Sequence, residues 1–392
     1  MLSLLAGSML PVTTFSLTTM VSGFSAATTN ATPRATPLVT EDRTAQNAIS
    51  LFLGSFIYAV TGLTAYYLEF FGSKESFALF CVTVAVMAGI VVVFLRWMDH
   101  ISALVRVDAT TARIEGAAGR AFDSWIDAPG FAARPPAEWC APADFPLHAG
   151  SEGYVQHVDV ARLDTLAREA GCDLLLIVAP GSYLAPRRPF ARSSRDLPPG
   201  TAAAMAGALT IDRGRDFAHD PRFGLITLAE VASRALSPGI NDPGTAIAAL
   251  TAGTRLLGGW IDRRRDAPRT VRFGNVFAGD LAARDLFEDL LRPIARDGAG
   301  TLEVAIRFQK MAMILGEAGD GLHAGLALAH ARDALARSRK ALDYDGDLQV
   351  LEAVFQEVED RLSPLTMAAA GPHASSGKTP AAEEKQGPRE SG

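Results

Sequence analysis

The densest group of side chains that could do chemistry lies in and near the string RALSPGINDPGTA, which begins at Arg234. Asn241, Asp242 and the earlier Asp220 offer amide and carboxylate oxygens, which suit a cation or a polar ligand. Arg215 and Arg234, beside a helix N-terminus with free backbone N–H groups, suit an anion instead. These residues therefore predict a ligand-binding site at Arg215, Asp220, Asn241 and Asp242, and they leave the charge of the ligand open.

The same string also has a purely structural interpretation. Pro238 and Gly239 would stop one helix, and Asp242 would cap the next. Pro243 would then occupy the first helical turn, where its missing N–H group costs nothing. This interpretation needs no ligand, and the residue types alone do not decide between the two.

The sequence lacks the common catalytic and cofactor patterns. It contains no GxSxG elbow, no HExxH pair and no glycine-rich phosphate loop. Its three cysteines lack the spacing of a zinc site or of a disulfide framework. His323 and His330 are two helical turns apart rather than one, so we expect exposed or capping roles for them. We therefore predict no catalytic residue, no metal and no cofactor.

A stripe of small and hydroxyl-bearing residues runs along the N-terminal segment. From Gly7 onward, steps of three or four residues place Thr14, Thr18, Ser22 and Ser25 on one face of a helix. Such a stripe is typical of a face on which another membrane helix packs. It is also compatible with a water-lined pathway through the membrane, and both interpretations stay open.

Long apolar runs in the first hundred residues predict membrane-spanning helices. Runs of about 20 residues at 49–71 and 76–98 are long enough to cross a bilayer, and 8–29 adds a third span. Arginines follow the last run, whereas the hairpin tip carries only Lys74, so the positive-inside rule places the C-terminal region in the cytoplasm. The sequence thus predicts a multi-pass protein of the inner membrane.

The remaining residues have the mixed charge of a water-soluble protein. The net charge of −6 leaves no basic footprint for nucleic acid. The predicted fold class is an α-helical integral membrane protein followed by a cytoplasmic region with a small α/β unit and a mostly α-helical bundle. The predicted parts are a membrane region at 1–98, a juxtamembrane helix and proline-rich linker at 99–150, the α/β unit at 151–213, the bundle at 214–363 with a short extended piece at 270–276, and a disordered tail at 364–392.

Five short strings carry a resemblance to a known family. They are TPR at 32–34, GYVQHVD at 153–159, the PG turn at 180, RDFAHDPRFG at 215–224 and RALSPGINDPGTA at 234–246. Together they resemble the bacterial family of predicted membrane proteins called domain of unknown function 2254, over about residues 8–362. The resemblance implies an integral membrane protein with two further spans upstream, which would mean that the natural chain begins earlier. It implies no activity.

These patterns favour a non-enzymatic membrane protein that anchors, senses or assembles through its cytoplasmic part. The alternative is a channel or transport component in which the hydroxyl stripe lines the pathway. An enzyme at the membrane surface has the least support, since no catalytic constellation is present. The expected partners are the lipid bilayer and a second copy of the chain, with no nucleic acid and a ligand of unknown identity.

Overall fold

The computed structural model describes residues 1–30, 32–40, 43–70, 72–104, 107–141, 145–265, 267 and 269–370. Its N-terminal part is helical, and three stretches are long and apolar enough to cross a membrane, as predicted: Leu2–Ser25, Arg43–Tyr67 and Lys74–Ile101. The first begins earlier than the predicted span. The helices of this part are α1 (Leu2–Asn30), α2 (Thr36–Thr40), α3 (Arg43–Tyr67) and α4 (Ser73–Leu104).

An apolar cluster holds the three long helices together. Phe52 of α3 is fully buried and lies against Phe94 and Trp97 of α4, with ring centroids 6.2 and 6.4 Å apart. Leu5 and Met9 of α1 complete the cluster. Between the long helices, Tyr58 and Thr83 share a hydrogen bond of 3.0 Å. Because most other large apolar side chains of these helices point outward, their outer surface suits lipid.

The soluble part begins with α5 (Val107–Asp127) and continues into a mixed α/β unit. Asp159 caps its first helix by accepting a hydrogen bond from the Arg162 N–H group (2.9 Å), and Gly171 ends that helix in the left-handed conformation. The elements are β1 (Ala133–Arg134), β2 (Phe145–His148), β3 (Gly153–Val158), α6 (Val160–Ala170), β4 (Leu174–Leu176), β5 (Tyr183–Leu184), β6 (Pro189–Ser193), α7 (Pro199–Ala206) and β7 (Leu209–Asp212).

The strands form two sheets that reach beyond residues 151–213. One sheet has three strands in the order β5-β3-β7, and the other has five in the order β1-β8-β4-β6-β2, where β8 is Phe273–Ala278. Strand β8 lies parallel to β4, with Leu174 opposite Val276. The extended piece expected at 270–276 therefore belongs to the sheet, and part of the expected linker supplies β1 and β2. Pairing across a hundred residues leaves no mark in the local pattern.

The remaining helices form the bundle. Its core includes Leu225, Leu228, Leu257, Phe287 and Phe308, all fully or almost fully buried. The last helix runs through Pro364 to Ala370, whereas the tail was expected to be disordered from 364; residues 371–392 lie outside the described residues. The helices are α8 (Pro221–Ala235), α9 (Pro243–Arg265), α10 (Ala283–Asp297), α11 (Leu302–Ala318), α12 (Gly321–Ala341) and α13 (Asp345–Ala370).

Candidate functional site

The four residues predicted to bind a ligand lie at opposite ends of α8. Asp220 is the N-cap of this helix and Arg215 contacts it, whereas Asn241 and Asp242 follow the C-terminal end. The helix has 15 residues, so its two ends are roughly 22 Å apart at 1.5 Å per residue. The structure therefore does not bring the four residues together. Arg215 and Asp220 lie at one end of α8, and Asn241 and Asp242 lie at the other.

Arg215 and Asp220 form an ion pair beneath the surface. The Asp220 side chain is 2% exposed, and its Oδ2 accepts a hydrogen bond from Arg215 Nε and contacts Nη2, both at 2.7 Å. Its Oδ1 accepts from the Phe223 N–H group at 3.1 Å, which caps α8. Burial raises the pKa of Asp220, although Arg215 and the Phe223 N–H group act in the opposite direction. The carboxylate thus holds Arg215 in place, with its guanidinium carbon 5.3 Å from the centre of the Phe223 ring.

The turn at Pro180-Gly181 packs directly on this ion pair. Gly181 has a φ of +88°, and a Cβ atom there would lie 2.2 Å from Asp220 Oδ2 and 2.7 Å from Arg215 Nη2. Its N–H group donates to the carbonyl of Val155, which ties the turn to β3. Only glycine combines this conformation with such a close approach.

Arg215 and Phe223 line a pocket of about 420 Å³ that lies between the soluble part and the segment joining α1 to α3. That segment is anchored to α8: Thr32 Oγ1 donates to Glu230 Oε2 at 3.2 Å, and Arg34 forms an ion pair with Glu230. The pocket thus joins parts of the chain far apart in sequence. Its lining residues are Pro33, Arg34, Pro37, Tyr154, Gly214, Arg215 and Phe223.

Four of the five family-like strings meet at this place. TPR supplies Pro33 and Arg34, GYVQHVD supplies Tyr154, and RDFAHDPRFG supplies the ion pair on which the PG turn rests. The sequence interpretation missed Pro33, Arg34 and Tyr154 as site residues, because nothing local places them beside Arg215. The resemblance was the available signal, since it had already singled out the strings that contain them.

Two histidine rings, on β3 and in the loop before α8, lie against each other. The rings of His157 and His219 have centroids 4.6 Å apart, and the His219 carbonyl accepts a hydrogen bond from Trp125 Nε1 at 3.1 Å. Burial lowers the pKa of His219, and the neighbouring His157 lowers it further. The neutral form of His219 is therefore favoured.

At the other end of α8, the turn GIND at 239–242 has the structural role proposed above, since it ends in the cap of the next helix. Asp242 caps α9: its Oδ1 accepts from the Thr245 N–H group (3.1 Å) and its Oδ2 from the Thr245 hydroxyl (2.6 Å). These two hydrogen bonds lower the pKa of Asp242. Asn241 is exposed and has a φ of +50°. With its carboxylate engaged by the cap, Asp242 has little freedom to bind a ligand.

The position of this turn follows from the register of α5 and α9. Arg255 pairs with Glu115 and Arg263 pairs with Asp123, and both pairs are separated by 140 residues in sequence. The two helices therefore run parallel. The GIND turn, which precedes α9, lies at the end of the bundle where α5 follows the last membrane helix.

The hydroxyl stripe of α1 faces away from the other two membrane helices. Thr14, Thr18, Ser22 and Ser25 are all exposed, whereas the inward face of α1 carries Leu5, Met9 and Ser16. The hydroxyls of Thr14 and Thr18 each donate to the carbonyl four residues earlier, at 3.0 Å, which satisfies them within the helix. The stripe therefore does not line a pathway between α1, α3 and α4.

The two histidines of α12 have different surroundings. His323 lies in a capping box, where its Nδ1 is 2.7 Å from Asp320 Oδ1. His330, expected to be exposed or capping, is instead only 8% exposed, because this face of α12 packs against α10, with its ring stacked 6.3 Å from Phe287. Within the described residues no group of three His, Cys, Asp or Glu side chains is placed to hold a metal ion.

Comparison with known proteins identifies the chain's relatives. It matches the family described as predicted membrane protein (DUF2254) over residues 1–313. Uncharacterised proteins of Mycobacterium bovis and Mycobacterium tuberculosis are each 26% identical to it over 335 residues, which cover 80% of this chain and 55% of theirs. The chain thus spans about half the length of these curated relatives. No solved structure matches it. From the extent of the family match, the chain belongs to the DUF2254 family of predicted membrane proteins.

Proposed function

We propose that this protein is a non-enzymatic sensing or assembly protein of the inner membrane, with its soluble part in the cytoplasm, and that the pocket beside Arg215 binds an anionic ligand. The observation that carries the proposal is the composition of the pocket wall. Pro33, Arg34 and Pro37 come from the segment between two membrane helices, whereas Tyr154 and Arg215 come from the soluble part. A ligand held there touches both.

The charge of the lining favours an anion. Arg34 and Arg215 are its charged residues, and no carboxylate lines it within the described part of the chain. Glu230 and Asp220 hold these arginines from outside the pocket. Because Asp220 engages Nε and Nη2 of Arg215, the guanidinium is fixed in orientation, and a fixed guanidinium recognises carboxylate and phosphate oxygens well.

A ligand in this position can shift the equilibrium between arrangements of the membrane helices and the soluble part. It does so only to the extent that it binds one arrangement more tightly than another. The segment between α1 and α3 is the element that would respond. No catalytic group is needed for this role, which supports a sensing or assembly function over an enzymatic one.

Hydrogen–deuterium exchange on the full chain in nanodiscs tests the pocket, with inorganic pyrophosphate as the anion. We expect pyrophosphate to slow exchange in residues 32–40 and 214–223. Arg215→Gln should abolish the effect, whereas Arg168→Gln, at an exposed position on α6, should preserve it. Unchanged exchange in the wild type at saturating pyrophosphate, or an equal effect in Arg215→Gln, contradicts anion binding at this pocket.

The cytoplasmic location of the soluble part is supported by the arginines that follow α4, compared with the single Lys74 at the hairpin tip. Reporter fusions at the C-terminus test it: a fluorescent protein should mature there, and alkaline phosphatase should stay inactive. The reverse result would place the soluble part outside the cytoplasm.

The alternative, a channel or transport component, is favoured by one observation, the exposed hydroxyls of Thr14, Thr18 and Ser22 on α1. Because this stripe faces away from α3 and α4, a pathway lined by it would form between copies of the chain in a homo-oligomer. Ion flux into liposomes that carry the full chain separates the two functions. A sensing or assembly protein gives no flux above background, whereas a channel gives flux that falls in Thr14→Val with Thr18→Val.

A further inference from the structure

A second cavity lies in the helical bundle, away from the pocket beside Arg215. It has a volume of about 550 Å³, within the range of small-molecule sites. The C-terminal end of α9 and the N-terminal ends of α10 and α12 form its walls. Its lining includes Trp260, Arg264, Asp280, Ala282, Arg284 and His323.

The two helix N-termini at this cavity differ. At α12, Asp320 accepts hydrogen bonds from the N–H groups of Leu322 and His323, at 3.1 and 3.3 Å. At α10, the N-cap residue is Ala282, which has no side-chain acceptor. The first N–H groups of α10 therefore lack a side-chain cap, and the positive end of this helix faces the cavity wall.

Two side chains in the same wall, Trp260 and the 20% exposed Arg264, carry buried N–H groups without acceptors among the described residues. Trp260 is 5% exposed, and its Nε1 has no hydrogen-bond partner among the described residues. Arg264 contacts Asp280 through Nη2 at 2.5 Å, but its Nη1 is buried without a partner in that part of the chain. Buried donors without acceptors cost free energy. They form an observation independent of the helix end, and they indicate that an acceptor belongs in this region.

The charges and the apolar surface define what kind of acceptor fits. Arg264, Arg265 and Arg284 line the cavity, and Arg284 has no ion pair among the described residues. The two carboxylates are already engaged, Asp280 by Arg264 and Asp320 by its capping role. Ile261, Leu281 and Leu322 add apolar surface. The cavity thus combines excess positive charge with an apolar wall.

We propose that this cavity binds a small organic anion, with its charged group at the N-terminus of α10 beside Arg284 and its apolar body against Trp260 and Leu322. Because the Trp260 and Arg264 donors are shielded from solvent, they bond the anion only after a small movement of the side chains that cover them. This site is separate from the pocket beside Arg215, and neither proposal depends on the other.

Calorimetric titration of the full chain in nanodiscs tests the proposal, with heats from empty nanodiscs subtracted. The probes are hexanoate, the uncharged hexan-1-ol and inorganic phosphate. We expect saturable binding of hexanoate, at least tenfold weaker binding of phosphate and none of hexan-1-ol. No saturable hexanoate binding, or equal binding of hexan-1-ol, overturns the site. Phosphate binding as tight as that of hexanoate overturns the role of the apolar wall.

Two variants locate the binding. Ala282 is exposed, so Ala282→Asp should fold and give α10 its own cap, which competes with the ligand for the same N–H groups. It should abolish hexanoate binding while raising the melting temperature. Arg284→Gln should weaken binding at least tenfold, and Arg296→Gln, at the other end of α10, should leave it unchanged. Undiminished binding in a folded Ala282→Asp variant refutes the assignment to this helix end.

Discussion

Gly181→Ala provides the sharpest test of the site built around Arg215. The methyl group would lie 2.2 Å from Asp220 Oδ2 and 2.7 Å from Arg215 Nη2, so the ion pair must separate or the turn must move. The φ of +88° adds a backbone cost that alanine cannot avoid. We therefore expect the substitution to destabilise the soluble part and to disorder Arg215 in its pocket.

The magnitude follows from these two effects. The left-handed backbone costs a non-glycine residue about 1–2 kcal/mol. Loss of one partner from a buried ion pair costs about 3–5 kcal/mol, and we take about 2 kcal/mol because the carboxylate is displaced rather than removed. The Arg215 side chain is also 20% exposed, which weakens the pair further. The sum is about 3–4 kcal/mol for Gly181→Ala.

A double-mutant cycle with Asp220→Ala separates the two effects. Without the carboxylate, the Arg215 side chain is released and can move away from the methyl group, so Gly181→Ala should cost only the backbone contribution of about 1–2 kcal/mol. The assay is urea unfolding of the detergent-solubilised chain followed by circular dichroism. Gly200→Ala, at a helical position with open space around it, is the control and should be neutral or slightly stabilising. If Gly181→Ala costs the same in both backgrounds, within about 0.5 kcal/mol, the close approach to Asp220 is not what requires glycine.

Three further predictions concern other parts of the chain. Asp242→Ala removes the α9 cap and should lower the free energy of unfolding by about 1 kcal/mol in the same assay. Because the pKa of Asp242 is lower in the folded state, the stabilisation by this carboxylate should be present above its unfolded-state pKa and be lost as pH falls through its folded-state pKa. Burial lowers the pKa of His330, so stability should decrease as pH falls below about 6.5, and His330→Gln should flatten that decrease in unfolding measured across pH. Val84→Arg places a charge on the lipid-facing side of α4, which should make membrane insertion less favourable by about 2.5–3.5 kcal/mol. The variant should therefore reduce the fraction of the protein that stays in the membrane during alkaline carbonate extraction, whereas Tyr344→Arg in the soluble part should not.

Local rules predicted the features that depend on a few consecutive residues. The predicted cap at Asp242 is present, because a cap needs only one side chain and the adjacent turn of helix. The three long apolar helices were also predicted locally, from the length and composition of each apolar run. The extended piece at 270–276 was predicted as well, but its pairing was not, since its partner strand β4 lies a hundred residues earlier in the sequence.

The four residues predicted to bind a ligand do not lie together, for a different reason. Arg215 and Asp242 are close in sequence, but the apolar spacing between them predicts a continuous helix, and a helix of that length holds its ends apart. A helix of this length already excludes a shared site. Only tertiary packing could show that Arg34 and Tyr154 replace Asn241 and Asp242 beside Arg215.

The packing of α8 against α5 gives the pocket a physical connection to the membrane region. Gly224 follows the pocket residue Phe223, and a Cβ atom on it would lie 2.2 Å from the Cβ of Ala118 in α5, so the backbones of these two helices come close together at this position. Such close contact transmits displacement rather than absorbing it, because at this position no flexible side chain separates the two backbones. Helix α5 follows the last membrane helix, and the segment with Pro33 and Arg34 follows α1. If the proposed ligand moves Phe223, we expect it to act on the membrane helices by two routes, through α5 and through this segment.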